Sequence, residues 1–300
     1  APAGLSERWD IGNPAEQDAI YRRFLDALCA RLHGELGALF DPGDLASRVF
    51  PEKWKDHLAA LNHDDFKDYW NADETLGWVY QYYTPKSLRD DARKKSAAPR
   101  NPWELAFRNQ FYTPDYVVRF LADNTLGRLW VEMFPETPLR GTFAKLLMAE
   151  GEVPPKRAAK DPRAITVLDP ACGSGHFLLY CFGLFEHLYK DAWEHPTLGA
   201  SLRADYADDR DRFRRELPKL IVEHNLHGID IDRRAVQIAS LALWLRARKG
   251  LPERDRKDPP RIERSHIVCA EPLPGDVSDY QDFRQRVAVK QPTAARLLDR

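Results

Sequence analysis

The sequence predicts an α/β fold, in which a parallel sheet with helices on its faces follows a helical N-terminal region. Three short apolar runs in the second half of the chain have the length and composition of buried parallel strands. Helical patterns separate these runs, and such strand–helix–strand alternation is typical of a parallel sheet. In the first hundred residues the apolar positions recur at three- and four-residue steps, which indicates helices.

Two domains are expected, a helical domain over residues 1–100 and a sheet-containing core over residues 101–300. A helix rich in aromatic residues is predicted at about 65–83, and we interpret its aromatic side chains as packing residues. The charged stretch 86–100, which contains paired lysines and a proline, is predicted to be an exposed linker.

Two helix starts can be placed from capping residues and prolines. Asn13 is a candidate cap, Pro14 suits the first turn, and Glu16 can reach back to the cap. Further along, Thr113 is a candidate cap and Pro114 is predicted at the first helical position.

The three predicted strands lead into loops of unusual composition. The first strand is predicted at 165–168, and residues 169–175 (DPACGSG) follow it. The second is predicted at 226–230 and ends on Asp230, and the third is predicted at 266–269. Ligands of open parallel sheets bind at the carboxyl ends of the strands, so these loops form the candidate site.

Bulk composition argues against several classes of protein. A net charge of -1 over 300 residues provides no global basic field that would draw the chain onto nucleic acid. No apolar run approaches the ~18 residues of a membrane-spanning helix, so no membrane association is expected. The 4 cysteines are scattered, without the clustered spacing of a zinc site. We therefore expect no metal, and reduced thiols in the cytoplasm.

The loop residues suit a nucleoside that carries a charged tail. Gly173 and Gly175 allow a tight turn and the close approach of a ligand. Asp230 can accept hydrogen bonds from both hydroxyls of a ribose, and Glu271 can accept one from an adenine amino group. A dinucleotide site is the weaker interpretation, because the G-x-G-x-x-G pattern has Leu178 at its last glycine. Asp230 also lies far beyond the ~20 residues at which that fold places its acid.

Several segments together resemble the adenine-N6 DNA methyltransferases whose cofactor motifs come first in the chain. Residues 167–178 (VLDPACGSGHFL) resemble motif I, and residues 109–114 (NQFYTP) resemble the preceding motif X. Residues 225–232 (NLHGIDID) resemble motif II, and residues 270–272 (AEP) fill the place of motif III. Residues 74–83 (ETLGWVYQYY) are similar to the BREX and DISARM phage-defence methylases.

That resemblance implies a Rossmann-like class I methyltransferase sheet, partial in this chain, and S-adenosylmethionine as the cofactor. In the family, motif X lies against the methionine end of the cofactor, and motif I lines its amino-acid portion. The acid of motif II holds the ribose beside an apolar residue that packs on the adenine ring, and motif III meets the adenine N6. The matching residues of this sequence are Tyr112, Thr113, Pro114, Asp169, Ala171, Gly173, Gly175, Asp230, Ile231 and Glu271.

The family's catalytic loop, Asn/Asp-Pro-Pro-aromatic, does not occur in the sequence. Its polar side chain and prolyl carbonyl accept hydrogen bonds from the target amine, while the aromatic ring stacks on the flipped base. Residues 258–261 (DPPR) come closest, but Arg261 is not aromatic and the segment precedes the third predicted strand. We therefore expect no catalytic residue within the chain, and we expect the motif to lie beyond Arg300.

The resemblance implies an enzyme, namely a site-specific adenine-N6 DNA methyltransferase of a bacterial phage-defence or restriction-modification system. This chain would hold the cofactor-binding part of it. Double-stranded DNA is the expected partner, bound largely through regions outside this chain, together with other defence-system proteins. Two alternatives remain open: a non-catalytic module that binds or senses S-adenosylmethionine, and a methyltransferase that acts on a protein amide or on RNA.

Overall fold

The structure, a computed structural model, describes residues 13–35, 54–108, 112–149, 152–270 and 277–290. Its N-terminal part is helical, as the apolar spacing predicts. The helices of this part are α1 (Pro14–Glu35), α2 (Trp54–Leu61), α3 (Thr75–Tyr83), α4 (Lys86–Lys95) and α5 (Pro102–Arg108).

The start of α1 confirms the predicted capping arrangement. The Glu16 amide donates to Asn13 Oδ1 at 3.1 Å, and the Asn13 amide donates to Glu16 Oε2 at 3.0 Å. Two orphan amides of the first turn are thereby satisfied by each other's side chains.

Two predictions for this part are wrong. The expected helix at 65–83 is shorter, because only single turns at Asp64–Phe66 and Tyr69–Asn71 precede α3. The expected linker at 86–100 begins with the ten-residue helix α4. Its lysines, arginines and aspartates are compatible with a helix that is exposed on most of its surface, and Ala92 is buried on the remaining face.

The core consists of three strands and the helices around them. The strands are β1 (Val167–Asp169), β2 (Leu226–Asp230) and β3 (His266–Cys269). The helices are α6 (Asp115–Ala122), α7 (Arg128–Met133), α8 (His176–Glu194), α9 (Leu198–Asp205), α10 (Arg210–Leu220), α11 (Arg233–Gly250) and α12 (Val277–Lys290). A π-helical turn at Asp123–Gly127 connects α6 to α7. A second π-helical turn, at Ile221–Asn225, connects α10 to β2.

The start of α6 differs from its prediction by one residue. Pro114 caps this helix and Asp115 is its first residue, so Thr113 is not the cap. Proline suits this position because its fixed φ leads the backbone into the helix while no amide proton is lost from the hydrogen-bond ladder.

The three strands form one parallel sheet in the order β1-β2-β3, which confirms the predicted α/β class. Asp169 of β1 lies beside Gly228 of β2, and Asp230 of β2 lies beside Cys269 of β3. The bounds of β2 and β3 are those predicted, whereas β1 begins two residues later than expected. The loops at the carboxyl ends of β1 and β2 therefore lie next to each other.

Helix α8 is the centre of the hydrophobic core. Phe182, Phe185 and Leu188 are fully buried on it, and Ala239 and Ala242 of α11 belong to the same cluster. Small residues on α11 let the two helices approach closely, so the loop between β1 and α8 lies against the start of α11. Within the described residues, no helix is long and apolar enough to cross a bilayer.

Candidate functional site

The loop between β1 and α8 makes a tight turn that depends on two glycines. Gly173 has φ 53° and Gly175 has φ 88°, both in the left-handed region that side chains disfavour. A Cβ at position 175 would also lie 3.2 Å from the Cβ of Ala239. The predicted need for glycine at both positions therefore has a backbone cause, and at Gly175 a packing cause as well.

The tip of β2 holds this loop in place. The Gly173 amide donates to Asp230 Oδ2 at 2.8 Å, and the Cys172 amide donates to the carbonyl of Ile229 at 2.9 Å. The Asp232 amide donates to Asp230 Oδ1, also at 2.8 Å. Each carboxylate oxygen of Asp230 thus accepts one backbone hydrogen bond and keeps capacity for another.

Asp169 brings a second carboxylate to the same edge of the sheet. Its Oδ1 accepts a hydrogen bond from the Ala171 amide at 3.1 Å. Burial raises the pKa of the Asp169 carboxyl above its ordinary value, and the nearby charge of Asp230 raises this pKa further. A cation that bound here would lower the pKa of Asp169 and stabilise its ionised form.

These loops border a cavity of about 260 Å³. It contacts Tyr112, Ala171, Gly173, Asp230 and Ile231, so it brings together five of the ten residues expected at the cofactor. Four of the other expected residues do not line the cavity. Asp169 ends β1 and Gly175 ends the glycine loop, while Thr113 and Pro114 follow Tyr112. Glu271 lies outside the described residues.

Five further residues line this cavity and were not among the expected site residues. One of them, Asp232, caps α11, since its Oδ1 accepts a hydrogen bond from the Arg234 amide at 2.9 Å. The others come from α3, α5 and the first turn of α11, and they are Tyr80, Leu105, Ala106 and Ala235. Nothing in their local pattern separates them from packing residues, so the sequence alone gives no signal for them.

A polar cluster joins α3 to the tip of β2. The Tyr80 hydroxyl donates to Asp232 Oδ2, and the Arg234 guanidinium lies 3.2 Å from the same oxygen. Burial alone would raise the pKa of Asp232, but the hydrogen bonds from Tyr80 and Arg234 outweigh it and hold this pKa below its usual range. Asp232 is therefore ionised at neutral pH.

An aromatic group lies beside the glycine loop, on the side of α3. The ring centroid of His176 is 5.4 Å from that of Trp78 and 5.3 Å from that of Tyr112. His176 and Ser174 are buried, and the described residues provide no hydrogen-bond partner for His176 Nε2 or Ser174 Oγ. Helix α3 and the segment that carries Tyr112 thus both pack on the start of α8.

Cys172 lies in the glycine loop but has no property of a nucleophile. Burial raises the pKa of its thiol to about 12, and the charges of Asp230 and Asp169 act in the same direction. The thiol is therefore protonated at neutral pH, as expected of a small, buried packing residue. Among the described residues, no group of three or more potential metal ligands lies together.

A larger cavity, of about 550 Å³, runs along the edge of β1 that faces away from β2. It is lined by Thr166 and Leu168 and by polar residues such as Arg128, Glu132 and Arg157. Glu132 is ion-paired with both arginines, at 3.0 and 2.8 Å. None of the expected site residues contacts this cavity, so its size alone does not make it the candidate site.

A parallel sheet with a glycine loop and an acidic strand tip around one cavity defines an α/β domain with a candidate ligand site. Residues 156–256 match the family described as MmeI, DNA-methyltransferase domain. The adenine-specific methyltransferase BrxX of Escherichia coli (strain HS) is 28% identical over an alignment 276 residues long, which covers 88% of this chain and 21% of BrxX. The adenine-specific methyltransferase PglX of Lacticaseibacillus casei is 29% identical over 265 residues, covering 82% of this chain and 20% of PglX.

A putative type II restriction enzyme and methyltransferase of Methanocaldococcus jannaschii is 32% identical over an alignment 148 residues long, which covers 45% of this chain and 12% of that protein. These comparisons confirm the resemblance to adenine-specific DNA methyltransferases. It spans about a fifth of the length of BrxX and of PglX.

Proposed function

We propose that this chain is the S-adenosylmethionine-binding part of a site-specific adenine-N6 DNA methyltransferase, built on a Rossmann-like class I methyltransferase sheet. The observation that supports this most directly is the cavity in which the glycine loop and Asp230 meet. The matching family and the names of the relatives support the same reaction. A bacterial phage-defence or restriction-modification system is the proposed setting, and double-stranded DNA is the proposed partner.

The residues of the cavity fit the cofactor chemically. The turn at Gly173 presents backbone rather than a side chain to a ligand, and its φ of 53° lies in the region that side chains disfavour. Asp230 retains acceptor capacity for the ribose hydroxyls, and Ile231 provides an apolar surface for the adenine ring. Asp169 does not line the cavity itself, but it ends β1 two residues before Ala171 of the cavity wall, and its carboxylate has the charge that suits the ammonium of the methionine end.

When bound, S-adenosylmethionine supplies a methyl group that a nucleophile can accept directly. The residues of this chain would bind and orient the cofactor and keep its charged end against Asp169. The acceptors that orient the target amine would come from an Asn/Asp-Pro-Pro-aromatic loop, which these 300 residues do not contain. We therefore propose cofactor binding, and not methyl transfer, as the activity of this chain by itself.

Calorimetric titration of S-adenosylmethionine into the wild-type chain and into Asp230→Ala tests the proposal. A hydrogen bond to a charged group contributes about 1.5–3 kcal/mol, so the variant is expected to bind about tenfold more weakly or worse. Asp258→Ala is the matched control, because the Asp258 side chain is 98% exposed. Equal affinities of wild type and Asp230→Ala would contradict the proposed ribose site, and a folded wild type that binds nothing would contradict the cofactor.

A second proposed function is a non-catalytic module that binds or senses S-adenosylmethionine, since the cavity residues named above account for binding of a cofactor and not for transfer. Both functions require the same cofactor site, so the titration does not separate them. The complete protein, incubated with tritiated cofactor and double-stranded DNA, separates them. Label in N6-methyladenine supports the methyltransferase, and binding without transfer supports the sensing module.

A further inference from the structure

We propose that α3, a helix of the N-terminal region, forms a wall of the cofactor cavity and that Tyr80 binds the nucleoside part of the cofactor. This inference rests on the proposed function and adds to it a binding residue outside the methyltransferase motifs. Tyr80 lines the same cavity as Asp230 and Ile231, although 150 residues or so separate it from them in sequence. Its ring is buried, with a relative exposure of 6%.

The Tyr80 ring is held from the side of the core before any ligand binds. Its hydroxyl donates to Asp232, the residue that also caps α11 and directly follows Ile231. The guanidinium of Arg234 lies 5.8 Å from the ring centroid, within the range of a cation–π contact. A ring that is fixed in this way loses little conformational entropy when a nucleoside packs against it.

Helix α3 is also seated directly on the glycine loop. A Cβ at position 77 would overlap Ser174 Oγ and would lie 3.2 Å from Ser174 Cβ, so the approach requires glycine. One residue further, Trp78 packs edge-on against His176, at 5.4 Å between ring centroids. The helix therefore covers the same loop whose Gly173 amide is bound by Asp230.

Two properties separate Tyr80 from the other tyrosines of α3. Tyr82 and Tyr83 are 72% and 71% exposed and do not line the cavity, whereas Tyr80 is buried within its wall. The hydroxyl of Tyr80 is engaged by Asp232, which leaves the ring as its contribution to the cavity. We therefore assign the ring, and not the hydroxyl, to the nucleoside, with the hydroxyl as the group that orients it.

Isothermal titration with two probes, S-adenosylmethionine and adenosine, tests this assignment on Tyr80→Ala, Tyr80→Phe and the control Tyr82→Ala. Loss of a ring that packs on a base weakens binding about tenfold or more, so Tyr80→Ala is expected to lose this factor for both probes. Tyr80→Phe keeps the ring and is expected to lose about threefold or less. Tyr82→Ala is expected to bind as the wild type does, and circular dichroism of each ligand-free variant checks its folding.

Wild-type affinity in Tyr80→Ala would overturn the inference and leave the proposed cofactor site intact. A loss for S-adenosylmethionine without a loss for adenosine would also overturn it, because the ring would then meet the methionine end. If Tyr80→Ala does not fold, Tyr80→Phe decides, since a tenfold loss there would transfer the role to the hydroxyl and overturn the assignment. A wild-type chain that binds neither probe would overturn the proposed function together with this inference.

Discussion

At the scale of single residues, the site is organised by two carboxylates at the tips of neighbouring strands. The carboxylate of Asp230 is stabilised by two backbone amides, each of which donates a hydrogen bond to one of its oxygens. Asp169 accepts a hydrogen bond from one backbone amide. It also lies close enough to Asp230 for the charge of Asp230 to raise the pKa of Asp169. Two such acids on adjacent strands repel each other without a ligand, and a bound cation relieves the repulsion.

Asp169→Asn is expected to stabilise the ligand-free chain at neutral pH and to weaken its binding of S-adenosylmethionine. The pKa of Asp169 is higher in the folded state than in the unfolded state, where it is ~3.9. The protonated carboxyl therefore adds to the free energy of unfolding below pH ~3.9, and this contribution is lost as the pH rises through the folded-state pKa. Ionised Asp169 is thus a cost to the ligand-free fold at pH 7, and asparagine removes that cost.

Thermal denaturation at pH 7 with and without S-adenosylmethionine measures both effects of this substitution. The melting temperature of ligand-free Asp169→Asn should exceed that of the wild type, and the rise on adding cofactor should shrink. As the pH falls below ~3.9, the difference between the ligand-free proteins should diminish, since Asp169 then becomes protonated in both the folded and the unfolded state. A lower melting temperature for Asp169→Asn at pH 7 would contradict this account.

At the scale of elements, one buried side chain fixes how β1 and β2 enter the sheet. Asn225 is fully buried just before β2, and its Nδ2 donates to the carbonyls of Pro162 and Ile165, both at 2.7 Å. Its Oδ1 accepts from the Tyr189 hydroxyl of α8 at 3.0 Å. The side-chain amide of Asn225 therefore links the start of β2 to α8 and to the segment before β1, and these elements position the glycine loop.

Asn225→Ala is expected to lower the free energy of unfolding by about 3 kcal/mol, because it leaves the Ile165 carbonyl and the Tyr189 hydroxyl buried without the Asn225 partner. The Pro162 carbonyl loses one hydrogen bond and keeps the one from the Ile165 amide. Urea denaturation of the ligand-free chain measures the change. The neighbouring His224 is exposed, so His224→Ala is the control and should stay within about 0.5 kcal/mol of the wild type. A loss below about 1 kcal/mol in Asn225→Ala would show that relaxation or water satisfies these groups.

The same contacts explain which elements the sequence predicts well. The bounds of β2 and β3 were predicted, because each is a short apolar run that ends in a distinctive loop. The first strand was predicted from residue 165, but the Ile165 carbonyl is bound by the Asn225 side chain, and pairing with β2 begins only at Val167. A side chain from a distant turn decides this boundary, and no local pattern contains that information.

The site residues that could be predicted from the sequence are likewise those whose signals are local in the chain. Gly173, Gly175 and Asp230 could be placed because backbone conformation and strand ends have local signatures. Tyr80 could not be placed, since it reaches the cavity only through the packing of α3 on α11 and its hydrogen bond to Asp232. Its aromatic neighbours on α3 follow the same pattern but are largely exposed.

At the scale of the whole molecule, an ion-pair network ties the N-terminal region to the core. Asp73, just before α3, contacts Arg246 Nε at 3.0 Å and Lys249 Nζ at 2.9 Å, both on α11. Arg246 also pairs with Glu186 of α8 at 2.5 Å, and its guanidinium lies 4.8 Å from the Phe182 ring centroid. The Arg246 side chain is 16% exposed, so this network is screened less than a surface pair would be.

Asp73→Ala is therefore expected to loosen α3 while leaving the contact between α8 and α11 in place, since Arg246 keeps Glu186 as its partner. Hydrogen–deuterium exchange followed by mass spectrometry measures this directly. Faster exchange is expected in peptides that cover residues 75–83, with unchanged exchange at residues 176–194. Asp68→Ala, an exposed acid of the same segment, is the control and should leave both regions unchanged.

The exchange rates of Asp73→Ala show whether α3 and the core open together or separately. If residues 75–83 exchange faster alone, α3 is a separately opening unit, and the cavity that it lines with Tyr80 can open without unfolding the sheet. Faster exchange in both regions would mean that α3 and the core open together, and Asp73 would then stabilise the whole fold. Unchanged exchange in both regions would mean that α3 is held mainly by two other contacts. These are the packing of Gly77 on Ser174 and the hydrogen bond from the Tyr80 hydroxyl to Asp232.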